Sequence, residues 1–146
     1  MANHYHQGRF IPKNPQKYVG DVNNIIYRSG WENKVMIWLD TNPSVIQWGS
    51  EECCLPYVGP GGTTHRYFPD FLIKVKNKSG DIVKYMIEVK PKAQTKPPVK
   101  PKKITKRYLE SVETYAKNLA KWEAAVKYCD KYDMEFKILT EDHIFN

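Results

Sequence analysis

The stretch His65-Arg66-Tyr67-Phe68-Pro69-Asp70-Phe71-Leu72-Ile73, followed by a lysine-rich turn and then Tyr85-Met86-Ile87-Glu88-Val89-Lys90-Pro91-Lys92, decides the fold. Two β-prone runs, Tyr67 to Val75 and Ile82 to Val89, flank Asn77-Lys78-Ser79-Gly80-Asp81, so the segment reads as a hairpin. A three-residue loop of Lys78, Ser79 and Gly80, with glycine in the left-handed position, is a common hairpin connection. In that register Asn77 faces Asp81, and counting back sets Asp70 opposite Glu88. Side chains alternate along a strand, so Lys90 shares a face with Glu88. The opposite face collects Phe71, Ile73, Val75, Val83, Tyr85, Ile87 and Val89, an apolar set ready to pack on helices. One surface is expected to be core. The other is expected to gather Asp70, Glu88 and Lys90 at the strand ends remote from the turn, an arrangement that a one-residue slip would undo.

Two carboxylates and an amine converging in this way suit a hard divalent cation. Mg²⁺ takes oxygen ligands, keeps several waters, and is typically held by one or two carboxylates plus substrate phosphate. A neighbouring lysine can orient a water and offset the charge that grows on a phosphate in the transition state. Glu-Val-Lys alone reads as a surface salt bridge on a half-exposed sheet. The pairing of Pro69-Asp70 before one strand with Glu88-x-Lys90 at the end of the next favours the ion site. Mg²⁺ is the expected metal, with Mn²⁺ able to replace it.

Pro69-Asp70 with Glu88-Val89-Lys90 resembles the signature of the PD-(D/E)xK nuclease superfamily, the restriction-endonuclease-like fold. A longer likeness runs through nearly the whole chain. Phe10-Ile11-Pro12-Lys13-Asn14, Tyr27-Arg28-Ser29-x-Trp31-Glu32, Trp38-Leu39-Asp40, Trp48-Gly49-Ser50-Glu51 and Pro97-Pro98-Val99-Lys100-Pro101 resemble the head-completion nucleases of T-even-like tailed phages. So do Lys121-Trp122-x-Ala124-Ala125 and Ile138-Leu139-Thr140-Glu141-Asp142. Transposon-encoded end-cleaving endonucleases share the Glu, Pro-Asp and x-Lys elements more distantly. The resemblance implies metal-assisted phosphodiester hydrolysis, with Asp70, Glu88 and the Val89 carbonyl on the metal and Lys90 positioning the attacking water. It also implies a glutamate from the first core helix, here Glu32, contributing directly or through water. The implied partners are double-stranded DNA and phage head, portal or neck proteins, with no membrane. The implied location is the host cytoplasm during assembly, or the virion. The rival readings are a head protein that grips DNA without cutting it and a transposon-type endonuclease.

The 146 residues fit one domain with one core. A hydrophobic fraction of 41% suits a folded globule, and no run approaches the length that crosses a bilayer. Met1-Ala2-Asn3-His4-Tyr5-His6 has no apolar stretch of signal-peptide type, so a soluble cytoplasmic product is expected. Cys53, Cys54 and Cys129 are odd in number and lack zinc-ligand spacing, which predicts reduced thiols packed in the core. The net charge of +7 suggests a polyanionic partner. Between Lys90 and Arg107 stand Lys92, Lys96, Lys100, Lys102, Lys103 and Lys106, with no acid among them. Such a block can hold phosphate backbones through counterion release, or be a solvated linker; its place directly after Lys90 favours DNA.

Residues 1–24 read as an arm draped over a domain spanning 25–146, in which Lys13, Lys17 and Arg28 are either nucleic-acid contacts or ordinary solvated charges. Ser29 caps a helix of about three turns with Trp31, Val35, Trp38 and Leu39 on its apolar stripe, ended by Thr41-Asn42-Pro43. Glu32 is either the capping-box partner of the Ser29 amide or a site residue. Val45 to Glu51 and Cys53 to Tyr57 predict two strands, and the glycine-rich 59–64 a loop into the hairpin. Glu51 and Glu52 are possible additions to the site or simply solvated. Arg66 shares the face of Asp70 if the strand begins that early, and would then hold a DNA phosphate. Pro97, Pro98 and Pro101 make an extended basic connector. Ile104, Tyr108, Val112, Tyr115, Leu119, Trp122, Val126 and Cys129 repeat at helical spacing and predict one long amphipathic helix. Glu135 to Thr140 is a final strand beside the hairpin. The expected architecture is α/β, a restriction-endonuclease-like core with a mixed central sheet flanked by helices, these mainly on one face with a cleft on the other.

Overall fold

The computed structural model describes residues 7–145; the first six residues, on which the reading of the amino terminus rests, and Asn146 lie outside it. In chain order the elements are β1 (Gly8–Arg9), β2 (Ile26–Tyr27), α1 (Gly30–Thr41), β3 (Val45–Ser50), β4 (Leu55–Val58), β5 (Thr64–Tyr67), β6 (Phe71–Lys76), β7 (Ile82–Val89), α2 (Lys106–Lys131), β8 (Glu135–Leu139) and α3 (Glu141–Ile144).

A four-stranded sheet in the order β3-β6-β7-β8 forms the frame. β3, β6 and β7 run antiparallel, while β8 lies parallel to β7, so the sheet is mixed. A parallel neighbour requires a crossover, and α2 supplies it. Two ribbons flank this sheet, β1 with β2 and β4 with β5. The central hairpin has the register expected from its turn. Lys76 pairs with Ile82 and Phe71 with Ile87, Asn77 accepts and donates across the loop, and Gly80 takes a φ of +85° that a side chain would resist.

Tyr67 to Val75 is not one strand. The chain breaks at Phe68-Pro69-Asp70: β5 turns away to pair with β4, and β6 starts only at Phe71. Pro69 is fully buried at this corner, where its missing N–H is no loss to either ladder. The glycine-rich segment, expected to lead into the central hairpin, instead closes the β4–β5 hairpin, with the Gly59 amide donating to the Thr63 carbonyl.

Both faces of the sheet are covered, which corrects the expectation of helices mainly on one side. Phe71, Ile73 and Ile87 point toward α1 and join Val35, Met36, Leu39, Val45 and Trp48. Phe10 and Tyr18, from the segment before β2, complete this core edge-on against Trp48. Asp40 of α1 ties the same segment down by accepting from the Lys13 and Asn14 amides at 2.8 and 3.0 Å. On the other face Met86 meets Leu55, Tyr57, Tyr67 and the α2 residues Trp122, Ala125 and Cys129, with Leu72, Phe136 and Ile138 at the margin.

The helices differ from their predicted stripes. In α1, Met36 is buried and Trp38 is 52% exposed. The buried residues of α2 are Asn118, Trp122, Ala125 and Cys129. Val112, Leu119 and Val126, expected in the core, are 39%, 45% and 46% exposed. Cys53 and Cys129 are buried free thiols as expected, whereas Cys54 is exposed. Among the described residues no helix is long and apolar enough to cross a membrane.

Candidate active site

The ends of β6 and β7 remote from their turn, the corner before β6, and α2 enclose one small polar cluster. Extending the register from Phe71–Ile87 sets Asp70 against Glu88. Asp70 stands just beyond the ladder, and its carboxylate takes the place of a strand: Oδ2 accepts the Val89 amide at 2.7 Å. The Asp70 carbonyl accepts the Glu51 amide at 3.1 Å, so the backbone holding this side chain is fixed from β3 as well. N–H and C=O of one strand residue leave on the same side, so the Val89 carbonyl projects toward the Asp70 edge too.

Glu88 is 6% exposed. Its Oε1 accepts the Tyr67 hydroxyl at 2.8 Å, and its Oε2 lies 3.5 Å from Lys90 Nζ. Lys90 itself is anchored by its amide, which donates to the Leu139 carbonyl of β8 at 2.9 Å. Asp70, Glu88 and Lys90 are therefore together. Burial pushes Asp70 well above the usual aspartate range, Glu88 and Glu32 push it further, and the Val89 amide and Lys90 oppose them.

Glu32 sits at the first turn of α1. Its amide donates to Ser29 Oγ at 3.1 Å, as a capped helix requires, but its carboxylate accepts the Arg28 amide at 3.2 Å rather than that of Ser29. Burial raises its pKa, and the charges of Glu51 and Glu88 add to the effect. Glu32 thus shares the electrostatic cluster without closing a cage: among the described residues no three His, Cys, Asp or Glu side chains converge to hold a metal. Glu51, in a left-handed backbone conformation at φ +55°, is held by Arg28 through two contacts of 3.0 Å.

The predicted DNA contacts separate. Arg66 lies exposed on β5 opposite Pro56, so the argument that it shares a strand face with Asp70 fails with the strand break. Lys92 is engaged by α3, its ammonium 2.9 Å from Asp142 and its amide bonded to Glu141. Lys96, Lys100, Lys102 and Lys103 are exposed along the irregular segment before α2.

Two residues were missed. Tyr67 counts as a core-facing position if the strand is continuous; only the corner at Phe68-Pro69-Asp70 swings its hydroxyl onto Glu88. Lys121 lies between the buried Asn118 and Trp122 on α2, with Nζ 5.7 and 5.9 Å from the ring centroids of Tyr67 and Tyr57. A lysine on the packed face of a helix was the available signal.

A buried glutamate, a partly buried aspartate whose pKa is raised by desolvation and then by its acidic neighbours, and a backbone carbonyl make a hard, oxygen-only donor set that fits a divalent cation. A mixed sheet covered on both faces, with Asp, Glu and Lys at adjoining strand ends, defines a restriction-endonuclease-like nuclease. The chain belongs to the TnsA-like endonuclease N-terminal family, whose pattern matches residues 42–141 and so leaves Glu32 outside. It is also similar to the head completion nuclease of Enterobacteria phage T4, with 44% identity over 142 residues that cover 94% of this chain and 92% of that one. Nucleases of this fold generally use divalent metals.

Proposed function

We propose that this chain is a Mg²⁺-dependent deoxyribonuclease of a tailed phage, with Mn²⁺ able to replace Mg²⁺. It cuts or trims double-stranded DNA during head completion, in the host cytoplasm or on the particle, beside head, portal or neck proteins. The observation that carries the reading is the Asp70–Glu88–Lys90 grouping, where among the described residues the one ion pair on these two acids is Lys90 with Glu88. The likeness to the phage T4 protein over nearly the full chain supports the biological setting.

Asp70, Glu88 and the Val89 carbonyl would hold the metal, with Glu32 acting through water. The bound ion supplies Lewis-acid activation of water and of the phosphoryl oxygens. Lys90, held beside Glu88 at 3.5 Å, aims the attacking water and offsets negative charge building on the phosphorus oxygens. Tyr67 fixes the orientation of Glu88 through Oε1, leaving Oε2 to face the lysine and available to a metal that Glu88 would hold. The basic segment Lys96–Lys103 would follow the DNA backbone without reading sequence.

Purified protein incubated with linear and circular duplex, with Mg²⁺ or with chelator, tests this. Cleavage is expected with Mg²⁺ and not in chelator, and is expected to vanish in Asp70→Ala and Lys90→Ala. Absence of cleavage under any divalent metal would sink the enzymatic reading.

A further inference from the structure

Lys121 is a polar residue in an apolar setting. It occupies the face of α2 that packs on the sheet, flanked by Asn118, Trp122 and Ala125, all buried. Its ammonium rests beside the rings of Tyr67 and Tyr57 at 5.7 and 5.9 Å. That is near the outer limit at which a ring face attracts a cation. Among the described residues it has neither a carboxylate within ion-pair distance nor a hydrogen-bond acceptor. A half-buried ammonium in that state costs free energy unless an anion arrives.

Its location says which anion. The nearer ring is the one whose hydroxyl binds Glu88, so one tyrosine lies between this ammonium and a proposed metal ligand. Burial lowers the Lys121 pKa, Lys90 and Lys117 lower it further, and Glu88 and Asp70 oppose them. Lys90 and Lys121 are two like charges near the same pair of acids, carried by separate elements, the end of the sheet and the helix. Nothing in the apolar packing requires a lysine there, since methionine would fill the same stem volume.

We propose that Lys121 binds a backbone phosphate of the DNA substrate at the active site, clamping the strand from the α2 side while Lys90 serves the scissile group. This rests on the nuclease reading above and adds a substrate-contacting residue to it. Lys117, one turn earlier on the same helix, extends the basic line toward the exposed connector.

Lys121→Met keeps the stem and removes the charge; Lys121→Arg keeps the charge; Lys127→Met, on the solvent side of α2, is the control. Binding of a short duplex is measured in chelator across a salt series, alongside cleavage in Mg²⁺. Each lost phosphate contact lowers the slope of log K against log salt by about 0.9. Lys121→Met is expected to show that drop and a fall in kcat/KM of roughly tenfold or more, as for a lost charge-assisted contact. Lys121→Arg is expected to restore the slope, and Lys127→Met to match the unaltered protein. Should Lys121→Met fold poorly by thermal melt, Lys121→Gln takes its place. A neutral, folded variant with unaltered slope and cleavage overturns the proposal while leaving the nuclease reading intact. Failure of the unaltered protein to cleave strikes the nuclease reading instead, and the binding series still judges Lys121.

Discussion

Asp70 ends a ladder and begins a site with the same carboxylate, and its protonation is the most informative single event in the molecule. Because its pKa is raised in the fold, the metal-free protein binds this proton more tightly than the unfolded chain does. That contribution to stability is full below the unfolded value, about 3.9, and is lost as pH climbs through the higher folded value. In chelator, the melting temperature is therefore expected to decline with rising pH across that interval. Asp70→Asn keeps an acceptor for the Val89 amide, so it is expected to flatten this decline and melt a few degrees higher at neutral pH, while gaining nothing from added Mg²⁺. A wild-type melt independent of pH would contradict the assignment. Tyr67→Phe strips the buried Glu88 of its donor and is expected to weaken metal affinity about 10- to 100-fold, read by metal-dependent thermal shift. The meeting of Asp70, Glu88 and Lys90 was legible because a tight turn fixes register over the whole hairpin. Tyr67 was not, since the corner that redirects it depends on β4 offering a separate partner.

At the scale of elements, α2 decides how the polar cluster is walled. Twenty-six residues make a rod of about 39 Å, and only its second half is buried against the sheet. The periodic pattern reads correctly as a helix, and Trp122 and Cys129 of its stripe are buried, but the stripe and the buried face only partly coincide. Val112, Leu119 and Val126 look like core in sequence, while the sheet in fact meets Asn118, Trp122, Ala125 and Cys129, rotated around the helix from them. Small Ala125 permits close approach, a preference that hydrophobicity alone does not express. Trp122→Ala is expected to destabilise by about 3–5 kcal/mol in urea melts. Trp122→Phe is expected to cost distinctly less, because among the described residues the buried indole Nε1 has no hydrogen-bond partner to lose. Equal costs would mean that the packing of α2 is looser than described. Thr105 accepts the Tyr108 amide at the start of the helix, so Thr105→Ala is expected to cost about 1 kcal/mol.

For the whole molecule, charge and layering point the same way. The sequence points to a cleft on one face of the sheet, but α2 covers that face, where Leu72 and Met86 alone make a narrow apolar strip. β8 supplies the missing apolar width through Phe136 and Ile138, a contribution from the far end of the chain. The net charge of +7 makes DNA binding salt-sensitive. Changing Lys96, Lys100, Lys102 and Lys103 to glutamine is expected to reduce the salt slope by up to about 0.9 per lysine, without altering any sequence preference. An unchanged slope would make that segment a solvated linker.

The backbone of Lys90 is anchored on Leu139, and the chain beyond Lys90 is clasped by Glu141 and Asp142. The two acids of the hairpin are therefore synthesised about fifty residues or more before the segment that seats the lysine. A chain cut back before Leu139 is expected to keep both acids on the hairpin but lose the anchor of Lys90, and so to cleave duplex in Mg²⁺ more slowly than the full chain.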